Sequence, residues 1–129
     1  MKRIMTTLLL GASLLLASFT TQNSIDGVIG ALRSGNSTEL ARYFDDNVEL
    51  SLPDKSDNYS KAQAQTIVRD FFSNNGVKGF ELKHKGDSQN GHFCIGMLQT
   101  NSGTFRTNVF MKVKNGKEVL KEIRFQAIE

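Results

Sequence analysis

The sequence predicts an α+β fold, with three helices packed on a curled antiparallel sheet to make a cone or roll. Three observations carry that expectation. Helix-capping residues and apolar side chains at helical spacing are confined to the first part of the chain, up to Gly76. From Phe80 onward apolar residues alternate with polar ones, as strands require. Asn-Gly and Ser-Gly pairs then divide this second part into segments of similar length.

Ile25, Val28, Ile29 and Leu32 recur on one helical face after Ser24, and Gly35 supplies a C-terminal glycine. Asn36 with Glu39 reads as a second cap, opening a short helix whose apolar side is Leu40, Tyr43 and Phe44. Val48, Leu50 and Leu52 alternate with Glu49 and Ser51 as a strand, which Pro53 and the polar run Asp54 to Asn58 should end. Ser60 and Gln63 form a capping box for a longer helix that buries Ala64, Ile67, Val68, Phe71 and Phe72 and stops at Asn75-Gly76.

Four strands follow, near 80–85, 92–100, 104–113 and 117–128. Asn115-Gly116 suggests a two-residue turn, but that register sets Val109, Met111 and Val113 opposite Glu122, Leu120 and Glu118. The apolar pattern selects a three-residue loop, Lys114 to Gly116, which aligns Phe105 with Phe125, Thr107 with Ile123 and Met111 with Val119. A similar loop at Asn101 to Gly103 sets Phe93, Ile95 and Met97 against Met111, Val109 and Thr107. A loop over Gly86 to Gly91 places His84 beside Phe93 and Leu82 beside Ile95. One face is then Phe80, Leu82, Phe93, Ile95, Met97, Phe105, Val109, Met111, Val119, Ile123 and Phe125, to be covered by the helices. The other face is charged, except for a row in which Cys94, Phe110 and Leu120 lie beside Lys83, with Leu98 nearby.

The chain has 129 residues, 39% of them hydrophobic, which accommodates one small domain. Lys2 and Arg3 precede an apolar stretch, Leu8 to Ala17, and small polar residues follow it. Residues 1–20 therefore read as a secretory signal peptide, and 21–129 as the domain. The stretch falls short of the roughly 18 to 20 apolar residues of a membrane span, so no transmembrane segment is expected. The protein should be exported, periplasmic or secreted. The formal charge is +3, and removal of those two basic residues lowers it to +1. Long-range attraction to polyanions is then weak, which argues against nucleic acid as a partner. Cys94 is the only cysteine, so no intramolecular disulfide forms.

Particular segments resemble a known group. Ile29-Gly-Ala-Leu32, Ser34-Gly35-Asn36, Leu40-Ala41-Arg42-Tyr43-Phe44-Asp45, Val48-Glu49-Leu50, Ser60-Lys61-Ala62-Gln63-Ala64, Phe71-Phe72, His84-Lys85-Gly86, Gly96 and Gly103-Thr104-Phe105 look like a family of small exported proteins of Gram-negative bacteria known as a domain of unknown function. The resemblance implies export and the nuclear transport factor 2-like (cystatin-like) cone, and brings no activity with it.

Enzymes with this cone, such as those similar to ketosteroid isomerase, hold a carboxylate base in an apolar cavity. The inward row derived above contains no acid, so no catalytic residues are assigned. His84, inward near the rim, is the one candidate for a cofactor-free isomerase, dehydratase or hydrolase. His84 and His92 point to opposite faces, and Asp54, Asp57 and Asn58 lack EF-hand spacing, so no metal site is expected. Phosphate-cradling glycine motifs and an activated serine are also absent, and no cofactor is implied. What remains is a non-enzymatic binding or interaction domain. Cys94, Leu98, Phe110 and Leu120 form its expected binding patch, for a homodimer through the outer sheet face, and the cone is a second place for a small apolar ligand.

Overall fold

The computed structural model describes residues 24–128, so the expected leader lies outside the described residues. Helix α1, Ser24–Ser34, buries Ile25, Val28, Ile29 and Leu32 and ends at Gly35. Helix α2, Ser37–Ala41, starts where Asn36 Oδ1 accepts the Glu39 N–H at 3.0 Å. Tyr43 and Phe44 fall beyond it, and Phe44 opens strand β1, Phe44–Leu52. Strand β2, Lys55–Ser60, leads into helix α3, Lys61–Asn75, through the Ser60–Gln63 capping box. Gly76, with φ +69°, closes α3 by donating its N–H to Phe72 O at 2.9 Å. Strands β3 (Val77–Asp87), β4 (His92–Thr100), β5 (Gly103–Lys114) and β6 (Lys117–Ala127) complete the fold.

The strands form one sheet of six, in the order β2-β1-β6-β5-β4-β3. The sheet is mixed rather than purely antiparallel, because β1 runs parallel to β6, with Leu50 opposite Ile123. The run Asp54 to Asn58 corrects another expectation: most of it lies within edge strand β2, paired with β1, instead of merely ending the strand. Both faces of β2 are exposed except at Tyr59, so no alternation marked it.

Register is where structure and sequence pattern part. The β5–β6 turn is the two-residue Asn115-Gly116 turn, with φ +54° and +75°, the left-handed pair that Asn-Gly favours. Lys114 faces Lys117 and Met111 faces Leu120, and then Phe110 faces Glu122 because Lys121 bulges out. That extra residue inverts the side-chain parity of β6, so Leu120 and Ile123 are both fully buried. Bulges at Lys78 and Lys83 do the same on edge strand β3. The β4–β5 turn is likewise two residues long, and it sets Cys94 opposite Val109 and Leu98 opposite Phe105.

The core between helices and sheet is closed by aromatic rings. Phe71 of α3 lies 5.1 Å from Phe105 and 4.9 Å from Phe125, and Phe72 lies 6.0 Å from Phe125. Phe93, expected among them, is on the opposite face.

Candidate functional site

Strand β4 reads His-Phe-Cys-Ile-Gly-Met-Leu-Gln-Thr, apolar on both faces over most of its length, so alternation alone cannot orient it. Packing decides. Cys94, Gly96, Leu98 and Thr100 turn inward and are buried. A Cβ on Gly96 would run into the Phe80 ring and come within 2.6 Å of Glu81 O, so the glycine is what lets β3 lay Phe80 across β4. Phe93, Ile95 and Met97 are left half-buried on the face away from the helices.

The expected patch is therefore corrected in its membership. Cys94, Leu98 and Leu120 have no exposed surface and belong to the core, whereas Phe110 is 36% exposed on the outer face. The physical reason is that both hairpin turns are one residue shorter than uninterrupted alternation requires, with the bulge at Lys121 restoring the match farther along β6. Burial pushes the Cys94 thiol up to about 12. Around Phe110 a different apolar strip assembles. Phe93 is directly opposite it, with ring centroids 6.3 Å apart and nearly parallel planes, and His84 lies 5.4 Å from Phe93 on the other side. Ile95 and Met97 continue the strip along β4. Asn108 sits beside it, and its Oδ1 is the one buried side-chain oxygen or nitrogen without a hydrogen-bond partner among the described residues. His84 is thus outside the cone, because the Lys83 bulge reverses parity just before it.

Two charged clusters went unnoticed in the sequence. Asp45, 7% exposed at the start of β1, binds Lys114 Nζ at 2.8 Å and Lys112 Nζ at 3.0 Å. The Lys114 ammonium is the main reason its carboxyl sits at about 2, with Lys112 and the Asp46 N–H adding to it against the cost of burial. Asp45, Asp46 and Lys114 line a rim cleft of about 640 Å³ with Arg42, Tyr43, Lys61 and Lys117, so side chains of both signs meet there. At the other cluster, His92 lies between Glu118 and Asp87. The pairing of Asp87 with His92 across a short turn was the one readable signal, since residues flanking a hairpin loop face each other. Glu118 reaches the histidine from two strands away, which only the folded sheet discloses. Among the described residues no group of three or more His, Cys, Asp or Glu converges on a metal position, and no helix is long and apolar enough to cross a membrane.

A search of curated proteins finds no match. Among solved structures, a DUF4783 family protein from Bacteroides ovatus is 37% identical, with a TM-score of 0.76 over 80% of this chain and 94% of that one. Another, from Bacteroides uniformis, is 38% identical, with a TM-score of 0.77 over 81% of this chain and 96% of that one. An NTF2-like protein of unknown function from Cytophaga hutchinsonii is 12% identical, with a TM-score of 0.61 over 85% of this chain and 95% of that one, and shares the fold alone. The family model described as "Domain of unknown function (DUF4783)" matches residues 25–126. With nearly the whole described domain matched, an α+β NTF2-like cone in place and Bacteroides relatives matched over 94% and 96% of their own chains, this chain belongs to the DUF4783 family.

Proposed function

We propose that this chain is an exported, non-enzymatic interaction domain that pairs with a second copy of itself through the outer face of the sheet. The observation that carries the reading is the strip of Phe93, Ile95, Met97 and Phe110 on the face the helices leave bare. Half-exposed side chains that adjoin only after the strands pair form a patch, and a patch is stabilised by being covered. At about 25 cal/mol per Å², covering them contributes a few kcal/mol. A single apolar strip can meet its own copy about a two-fold axis, which makes a second copy the simplest partner.

The interior argues for a surface over a cavity. Phe71, Phe72, Phe105 and Phe125 occupy the space between α3 and the sheet where an apolar ligand would sit. His84, the residue an enzyme would use, packs on Phe93 outside that space. Export rests on Lys2, Arg3 and the apolar stretch Leu8 to Ala17.

Light scattering on the domain at high micromolar concentration tests the pairing. The wild type is expected to be a dimer. Phe110→Glu should be a monomer with an unchanged circular dichroism spectrum, because Phe110 already meets solvent. A wild type that stays monomeric overturns the reading, as does a Phe110→Glu protein that remains dimeric.

A further inference from the structure

We propose that His92 is a proton-operated latch, which when charged ties the turn end of the β3–β4 hairpin to β6 and when neutral lets the Asp87 side chain and the adjoining loop go. It goes beyond the pairing proposed above and does not depend on it.

The geometry sets the protonation state. His92 Nδ1 lies 2.7 Å from Glu118 Oε2, and Nε2 lies 2.9 Å from Asp87 Oδ1. A neutral imidazole carries one N–H and donates to one acceptor, so only the imidazolium satisfies both carboxylates. Asp26 of α1 also faces the ring, and it is engaged by Lys85 Nζ at 2.9 Å. Two carboxylates thus contact the imidazole, and the charge of Asp26, itself paired with Lys85, acts on it as well. The hydrogen bond to Glu118 is the largest reason its proton affinity is raised above the ordinary histidine value of 6.5, with burial opposing and the charges of Glu118, Asp87 and Asp26 adding.

The two carboxylates are not equivalent, and that decides which contact breaks. Glu118 is 14% exposed, and the same Oε2 also accepts the His92 backbone N–H at 2.8 Å. Asp87 is 80% exposed and holds no second partner among the described hydrogen bonds. When the ring loses a proton, the remaining N–H stays at Nδ1 on Glu118. Nε2 then presents a lone pair to Asp87, and that pair opens. Asp87 is the last residue of β3, so its release frees the loop Ser88 to Gly91 at one end. The loop keeps its own closure, Ser88 N–H to Gly91 O at 2.7 Å, and its tether from Val113 N–H to Asn90 O at 2.9 Å. The His92 side chain is 29% exposed, so solvent reaches the switching proton.

The sign follows from linkage. A histidine whose proton affinity is higher folded than unfolded stabilises the fold below the ordinary value, and that contribution is lost as pH rises through the raised one. The latch is shut below the ordinary histidine value and opens as pH rises through the raised one.

Nitrogen-15 NMR of the imidazoles, run from about pH 5 to about pH 9, reads the latch directly. Both His92 nitrogens should be protonated at the acid end, and the ring should titrate above the ordinary value and settle with its N–H on Nδ1. Amide exchange at Gln89 and Asn90, corrected for intrinsic pH dependence, should rise severalfold across the same titration. Asp87→Asn, at an exposed position, should weaken proton binding by a factor of about two to five and uncouple loop exchange from pH. The latch is refuted if His92 titrates at or below the ordinary value, if loop exchange is equal in both charge states, or if Asp87→Asn leaves the coupling intact.

Discussion

Phe125→Ala tests whether the cone is closed by its own rings. Phe125 is 1% exposed, 4.9 Å from Phe71 and 6.0 Å from Phe72, and it is the β6 residue on which both rings of α3 rest. Truncation removes its burial and leaves a void that α3 can only partly fill, a loss of about 3 to 5 kcal/mol. A domain of this size has roughly 5 to 15 kcal/mol in all, so about a fifth or more of the stability should go. At about 4 to 8 °C per kcal/mol, Tm should fall by at least about 12 °C. Urea unfolding followed by circular dichroism measures the loss, with an unchanged m value marking an intact native state. The control is Phe110→Ala, 36% exposed, measured at a protein concentration low enough to keep the chain monomeric. Its cost should be about 1 kcal/mol or less. A small apolar solute such as benzene should stabilise the Phe125 variant and not the wild type, because only the variant has an empty apolar space. If Phe125→Ala costs no more than Phe110→Ala, the two faces of the sheet have been assigned the wrong way round.

Asp45 should make the fold acid-sensitive. Its carboxyl is held at about 2 against an ordinary 3.8, so its contribution is present above pH 3.8 and is lost as pH falls through about 2. The shift corresponds to about 2 kcal/mol, reduced to about 1 by solvent around Lys112 and Lys114, which are 36% and 40% exposed. Asp45→Asn should therefore lower the urea midpoint at neutral pH and flatten its decline between about pH 4 and pH 2; equal declines in both proteins would remove Asp45 from the account. Cys94 should be inert to thiol reagents in the native protein and react on unfolding, since it has no exposed surface and its thiol sits at about 12. Rapid stoichiometric labelling under native conditions would place it back on the outer face.

The helical half was legible because its signals are local. The Asn36 cap, the Ser60–Gln63 capping box and the left-handed Gly76 each act within one turn of their own position, and each occurs where the residues indicated. The second half depends on pairing between strands, and there the pattern misled in a specific way. Assuming uninterrupted alternation, the only register that joined apolar to apolar required longer turns. The molecule instead keeps the turn that Asn115-Gly116 favours and spends one lysine, Lys121, on a bulge that restores the match. No residue type announces a bulge, and an exposed lysine in a strand resembles any other solvated position. Strand β4 had a further ambiguity: Phe93, Ile95 and Met97 outweigh Cys94, Gly96 and Leu98 in hydrophobicity, yet the smaller set faces inward because Phe80 needs the room above Gly96. The strip that resulted on the outer face could be inferred as apolar from Phe110, but not its composition. The charged clusters were hidden for the same reason, since Glu118 and His92, or Asp45 and Lys114, are brought together only by strands that are not neighbours in the sheet.

The parallel pairing of β1 with β6 gives the fold a direction in time. Ile123 lies 73 positions after its partner Leu50, while the neighbours of β5 are reached through two-residue turns. A chain emerging from its N-terminus can form α1, α2, the β1–β2 hairpin and α3 early, but one edge of β1 has no occupant until β6 has been made. Until then the apolar side chains of β1 and α3 face a site that only the last strand fills. Closing so distant a contact is slow relative to local structure, and the half-made chain is the state most exposed to misassociation. The sheet therefore stays open along β1 until the final strand arrives, and the order of synthesis is also the order in which the core can close.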